Sequence, residues 1–354
     1  MTRREMLLLS GASRVLGQSA ALPDPRNLSY PLDGIDGTIT PAELFFVRDH
    51  FREPDLSLSN WRLKVDGRVA RPIELTFADI LESPTKEMEA LLECAGNPSA
   101  GSAASNAIWE GVPLAALFEE AGVGRDAVAV MLEGADSGRL LQDSPELPYC
   151  QIVPIEKCLR PESLVAFKLN GRFLPRSNGF PARALLPGWY GMDSVKWLQR
   201  VTVLGPADQV PNFQSSGMNK LYNRTVKNPA GDLDVSRLTE IQVRSVIAWP
   251  VDTARLPAAR LAIRGFAWTG AGAVRSVNVS TDGGTSWSPA QFESSRKPFT
   301  WVRWKYWWSA VPGEHVLLSR AVDDTGREQP LTRDLARKDV YELNFCLPVR
   351  CSVR

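Results

Sequence analysis

From about Ile241 onward the chain reads as short alternating runs broken by turn residues. "AVRSVNVSTDGGTSW" alternates, turns at Asp282-Gly283-Gly284 and starts again, while "WVRWKYWW" and "HVLLSRAV" are further strands. A strand that alternates buries one face only, so several in succession must pack face to face. About 100 residues of this pattern predict an all-β, immunoglobulin-like sandwich.

The sequence before Ile241 is mixed. "PAELFFVRDHF" reads as a strand entering a loop, and "WRLKVDGRVARPIELTFADIL" as strands with a hairpin turn at "DG", followed by a short helix. "VPLAALFEEAGV" predicts a helix ending at Gly122, and "AVAVMLEGAD" a buried strand. Asn170-Gly171 sits between two strand-like runs and predicts a hairpin. "ARALLPGWYGMDSVKWLQRVTVLG" reads as a strand, an irregular loop and another strand, and "NRTVKNPAGDLDVSRLTE" as a linker of low apolar content. The class expected is α+β, with one mixed unit over 40–225 and the sandwich over 238–350.

A chain of 354 residues is long enough for about two domains with a sizeable core. Its formal net charge of +1 shows no nucleic-acid footprint, and no apolar run after the N-terminus approaches the ~20 residues of a membrane span. The start "MTRREMLLLSGASRVLGQSAALPDP" resembles a twin-arginine export signal over 1–22, with small residues near Ser19-Ala20-Ala21 for cleavage. That implies a periplasmic location and, since this route moves folded proteins, a cofactor inserted beforehand. Cys150/Cys158 and Cys346/Cys351 are local pairs, each able to close a short loop under oxidising conditions. Cys94 is left alone at the mouth of a loop of small residues.

Around that cysteine the motifs become specific. "FFVRDH", "CAGN" followed by "W.GVPL", "EGAD", "LNGRFLPRSNGFPAR" and "LPGWYGMDSVKWL" occur in this chain in that order and resemble, segment by segment, the sulfite oxidase family. "GFAWTGAGAVRSVNVSTDGGTSW" and "SRAVDDTGREQP" resemble that family's C-terminal dimerisation domain. The resemblance covers about residues 40–350. It implies one molybdenum–molybdopterin cofactor per chain and a homodimer. The implied reaction is oxygen-atom transfer to a small sulfur compound such as sulfite. Electrons would leave to an external acceptor such as a c-type cytochrome; with no C-x-x-C-H site, no haem is expected on this chain.

By the same resemblance Cys94 is the metal ligand, a soft thiolate beside the two sulfurs of a pterin dithiolene. Arg183 and Lys196, with Ser194 and Val195, fall on the phosphate side of the pterin. Phe46, Val47, Arg48, Asp49, His50, Asp136 and Asn178 are implied pterin contacts. Arg48 is the first choice for holding a substrate anion and Arg303 the second, with Trp109 a possible wall of the pocket. Departures from the family pattern are also present. Pro98 and Ser99 follow "CAGN" where a basic residue is usual, and Asn178 replaces a histidine before "GFP". The tyrosine expected after "VKWL" falls near Met218, with only Tyr222 close by. A pocket short of one cation and one tyrosine weakens the case for sulfite, and "LSRAVDDTGREQP", "LPGW" and the uncharged loop after "CAGN" lean toward the sulfane dehydrogenase branch, which works on protein-bound sulfur. A sulfoxide reductase of the same superfamily and a cofactor-less binding module are the alternative readings.

Overall fold

The computed structural model describes residues 25–98, 100–139, 145–210 and 221–354. The export-signal segment 1–22 and Met218 lie outside the described residues. The fold is mostly β, and its three α-helices among the described residues are short.

Two five-stranded sheets build the first unit. One runs in the order Ile73–Leu75, Leu63–Gly67, Leu198–Leu204, Ala129–Gly138, Leu147–Pro154, with Leu63–Gly67 and Leu198–Leu204 parallel. The other runs Arg172–Phe173, Leu164–Leu169, Ala104–Pro113, Lys86–Glu93, with Arg183–Leu185 also paired to Leu164–Leu169. The helix Phe77–Glu82 starts at a capping box formed by Thr76 and Asp79. Leu114–Ala121 buries Leu114, Leu117, Phe118 and Ala121 at helical spacing and ends at Gly122 in the left-handed conformation, as expected. Asn170 and Gly171 both take positive φ between paired strands, the conformation a two-residue hairpin turn requires.

Three local expectations are corrected. The expected hairpin forms between Leu63–Gly67 and Ile73–Leu75, but its turn is 68–72, because Asp66 and Gly67 stay in the strand and pair with Leu198–Leu204. A Cβ on Gly67 would lie 2.1 Å from the Val203 carbonyl oxygen, so glycine admits the close approach of the two strands. "PAELFFVRDHF" contributes only the two-residue strand Val47–Arg48 after a 3-10 turn at Ala42–Leu44. The expected linker is a β-hairpin, Asn223–Lys227 against Leu233–Arg237. Its low apolar content reflects a two-stranded ribbon with much of both strands in water rather than an unstructured connection.

The C-terminal unit is the expected sandwich. A four-stranded sheet in the order Arg244–Trp249, Arg260–Trp268, Val302–Ser309, Gln291–Phe292 belongs to one layer. A five-stranded sheet forms the other, in the order Ala254–Leu256, Val349–Val353, Gly313–Asp323, Val274–Ser280, Ser288–Pro289. Ile263, Trp304, Val277 and Leu317 meet between them, and Gly283 and Gly284 turn at positive φ after Val274–Ser280.

The cysteine pairs do not form bridges; all five cysteines are free thiols. Cys150 and Cys158 pack in the core of the first unit, and Cys351 in the sandwich core, as small apolar side chains. Burial pushes Cys150, Cys158 and Cys346 each up to about 12, which keeps them protonated and unreactive.

The two units share a core. Leu91, Ala95, Ala104, Tyr190 and Met192 pack in one cluster with Val246, Phe266, Trp268 and Trp301 of the sandwich. Leu91 N–H donates to the Phe299 carbonyl at 2.7 Å, and Gly188 and Gly270 let the two backbones approach closely. The loop carrying Cys94 lies at this seam.

Candidate active site

Cys94 follows the strand Lys86–Glu93 and opens a tight turn. Its N–H donates to the Ala103 carbonyl at 3.0 Å, and its carbonyl accepts from Asn97 N–H at 2.8 Å. The turn leaves the half-buried side chain facing a pocket that is also lined by Arg48, His50, Asp136, Arg183 and Lys196. Burial raises the Cys94 thiol, opposed by the Gly96 backbone N–H and the Arg48 charge. A metal taken up here must therefore displace a proton.

The segment 45–50 crosses one wall of the pocket. Phe46 and Val47 are buried in it, with Phe46 N–H held by Ser105 Oγ at 3.1 Å. Arg48 lines the pocket from an exposed position. It donates to the Asp49 carbonyl at 2.9 Å, and no carboxylate among the described residues pairs with it. His50 meets the Tyr222 hydroxyl through Nε2 and packs 4.8 Å from the Tyr149 ring. Burial, reinforced by the charges of Arg48 and Lys196, lowers His50 to about 3, so its ring is neutral at ordinary pH.

Two further cations line the pocket, one buried and one mostly buried. Arg183 is 5% exposed and donates to the carbonyls of Asn178 at 3.0 Å and Ser194 at 2.7 Å. With carbonyl rather than carboxylate partners, burial lowers it to about 9. Lys196 donates to Asp49 Oδ1 and, at 2.9 Å, to the Ser177 carbonyl, and lies over the Trp197 ring. Burial lowers Lys196 to about 8 against the attraction of Asp49. Ser194 and Val195 line the same pocket, but the Ser194 hydroxyl already accepts from Leu186 N–H. The Ser194 O–H remains free to donate, and the Ser194 carbonyl accepts from Arg183.

Asp136 is 4% exposed on the pocket wall, and its Oδ1 has no hydrogen-bond partner. Burial raises this carboxyl to about 7, with the Lys196 charge working against the rise. A buried acceptor left without a donor is costly in a finished protein and marks a place where a ligand supplies one.

Most of the residues read from the sequence therefore converge on one cavity: Cys94, Phe46, Val47, Arg48, His50, Asp136, Asn178, Arg183, Ser194, Val195 and Lys196. Three do not line it. Asp49 is buried behind the wall as counter-ion to Lys196 and Arg26. Trp109 is fully buried, with its Nε1 donating to the Ala90 carbonyl and its ring 5.5 Å beneath the Arg183 guanidinium, so it supports a pocket cation instead of walling the pocket. Arg303 belongs to the sandwich strand Val302–Ser309 and pairs with Glu293, whose chain neighbour Phe292 is in the adjacent strand. The register gives it a sandwich partner in place of a substrate.

Tyr149, Met192, Ser177 and Tyr222 also line the pocket. Tyr222 corrects the expectation of a pocket without a tyrosine, since it stands where its hydroxyl meets His50. The signal was its being the nearest tyrosine after "VKWL". Tyr149 had no sequence signal, being one aromatic in a strand.

Among the described residues no group of three or more His, Cys, Asp or Glu could hold a metal unaided. A single thiolate with an orphaned acceptor and two buried cations fits a metal that arrives with its own organic sulfur ligand. Residues 50–210 match the oxidoreductase molybdopterin binding domain, and residues 236–338 the Mo-co oxidoreductase dimerisation domain. Over 320 residues the chain is 33% identical to the sulfite oxidase of Gallus gallus, covering 82% of this chain and 68% of that protein. The chain belongs to the sulfite oxidase family.

Other members of the sulfite oxidase family are similar at comparable distance. The mitochondrial sulfite oxidase of Homo sapiens is 32% identical over 321 residues, and the NADH nitrate reductase of Solanum lycopersicum 30% over 354. This chain spans 58% and 38% of their respective lengths. The sulfane dehydrogenase SoxCD structure from Paracoccus pantotrophus matches with a TM-score of 0.80 at 30% identity, covering 91% of this chain and 83% of that one. The molybdopterin-binding domain implies a molybdenum–pterin cofactor. Cys94 would hold its metal, Asp136 would accept from its N–H groups, and Arg183 and Lys196 would face its phosphate.

Proposed function

We propose that this chain is a molybdenum-dependent oxidoreductase that oxidises sulfite or a related sulfur compound and passes the electrons to an external acceptor. The observation that carries the reading is Arg48, a cation in the Cys94 pocket with no carboxylate partner among the described residues. An unpaired guanidinium offers a planar, bidentate donor set to an oxyanion. The bound cofactor would supply oxygen-atom transfer and two-electron redox chemistry. Arg48 holds the anion, Cys94 anchors the metal, and Tyr222 and neutral His50 present a hydrogen-bonded pair at the pocket wall. Positioning and electrostatic stabilisation are the protein's share of the work.

A second reading is a sulfane dehydrogenase acting on protein-bound sulfur. It is favoured by the uncharged Pro98 after "CAGN", where the family usually carries a basic residue. Turnover of the purified, molybdenum-loaded chain with an artificial electron acceptor separates the two. Sulfite oxidation supports the first reading, and oxidation only of a carrier-bound persulfide supports the second. Activity with neither contradicts both.

The proposal extends to one molybdenum and one pterin per chain, a homodimer through the sandwich, and a c-type cytochrome as acceptor. It also places the protein in the periplasm on the strength of the Arg3-Arg4 segment. Metal analysis, light scattering, cytochrome reduction and cell fractionation test these in turn. No helix among the described residues is long and apolar enough to cross a membrane.

A further inference from the structure

One ion pair among the described residues has both side chains less than 5% exposed. Arg244 of the sandwich donates through Nη1 to Glu93 Oε1 at 3.0 Å, with side-chain exposures of 2% and 4%. Glu93 immediately precedes Cys94. The other end of the same guanidinium reaches the carbonyl of Pro98, four residues beyond Cys94. A single arginine from the sandwich thus spans the base of the turn that presents the thiol.

Other contacts complete the arrangement. Glu93 Oε2 accepts from Trp268 Nε1 at 2.8 Å, and Oε1 also accepts from Asn97 Nδ2 at 2.8 Å. Asn97 Oδ1 accepts from Ala103 N–H at 2.8 Å, closing the far side of the turn. Arg244, Glu93, Trp268 and Asn97 are all buried. Desolvating two charges is expensive, and a buried pair often stabilises a fold no better than apolar side chains would. Its retention at the root of a ligand loop suits a geometric duty better than a stabilising one, because a rigid supporting shell keeps a metal ligand aimed.

We propose that Arg244, acting with Trp268 through Glu93, is a positioning residue for Cys94: the sandwich holds the thiol's turn in shape. The inference rests on Cys94 being the metal's ligand. It makes the C-terminal unit part of the metal site's support as well as an assembly surface.

The test reads the thiol itself. In the full-length, cofactor-free chain, iodoacetamide alkylation of Cys94 is followed by peptide mass spectrometry below the melting temperature. The double variant Glu93→Gln/Arg244→Met removes both charges together, so no lone buried charge remains. Alkylation of Cys94 should accelerate on the order of tenfold as the turn opens more often, while the four buried thiols stay protected. Arg244→Lys, which keeps one donor end, should restore part of the protection. Trp268→Phe removes the indole N–H to Glu93 together with some ring volume and should accelerate Cys94 by a smaller factor while the four buried thiols stay protected; it decides the question if the double variant does not fold. Unchanged Cys94 alkylation in folded variants would overturn the proposal. Parallel acceleration of all five thiols would do the same, because it means general loosening. A cofactor that gives wild-type Cys94 no protection would contradict the ligand assignment and leave the brace standing, so the two failures are distinguishable.

Discussion

The Tyr222 hydroxyl meets Nε2 of His50 at the wall of the Cys94 pocket, and both rings are flanked by Tyr149 or Tyr341. His50 is held neutral, and burial raises the Tyr222 hydroxyl well above its ordinary value. The pair therefore offers an uncharged, hydrogen-bonding face beside the charged Arg48. Tyr222→Phe should leave the fold intact and lower kcat/KM for the proposed sulfur substrate about tenfold, equivalent to one lost hydrogen bond of about 1.4 kcal/mol. Steady-state kinetics check this; an unchanged kcat/KM would remove Tyr222 from the site.

Arg48→Gln should act differently. The amide keeps hydrogen-bonding capacity and loses the charge, so KM for an anionic substrate should rise on the order of tenfold or more with a smaller change in kcat. The effect should also shrink at high salt, because Arg48 is exposed to solvent. An Arg48→Gln enzyme with wild-type KM would move anion binding elsewhere.

The neutral state of His50 has a signed consequence for stability. An unfolded histidine ionises near 6.5, whereas folded His50 is lowered to about 3 by burial and by the charges of Arg48 and Lys196. Between those values the unfolded chain binds more protons than the folded one. The stability from this group is whole above pH 6.5 and is lost progressively as the pH falls toward 3. In the cofactor-free chain, His50→Gln should flatten the fall in melting temperature below pH 6.5. A variant that tracks the wild type throughout the acid range would contradict the burial of a neutral ring.

The fold was legible where pattern and packing coincide. Alternation after Ile241 marked the sandwich because each of its strands has one buried face, and Asn170-Gly171 marked its hairpin because few residue pairs accept two positive φ angles. What failed depended on partners distant in sequence. Asp66-Gly67 is a turn signal in isolation, but pairing with Leu198–Leu204 holds both residues in the strand and moves the hairpin's turn to 68–72. Arg303 and Arg48 are both arginines after a valine, and only the register opposite Phe266 and the neighbouring Glu293 assign the first to the sandwich. The site was legible as motifs in order. Its supporting residues were not, since Glu93, Arg244 and Trp268 come together only across the seam between the two units.

The cysteine pairs supply another check. With every thiol free, denaturation without reductant should expose five titratable thiols in the cofactor-free chain, and added reductant should not move the melting temperature. Cys150→Ala or Cys351→Ala should cost about 1–2 kcal/mol through lost packing, less than the 2–4 kcal/mol typical of a broken bridge. A count of one or three thiols would restore one or both bridges.

Cys94 is the residue on which the whole reading converges, and the sulfur shell of the metal tests it most directly. X-ray absorption at the molybdenum edge should find three sulfur neighbours in the wild type, two from the pterin and one from Cys94, and two in Cys94→Ser, with turnover abolished and the fold retained. A serine variant that keeps three sulfur neighbours and near-normal turnover would contradict the assignment.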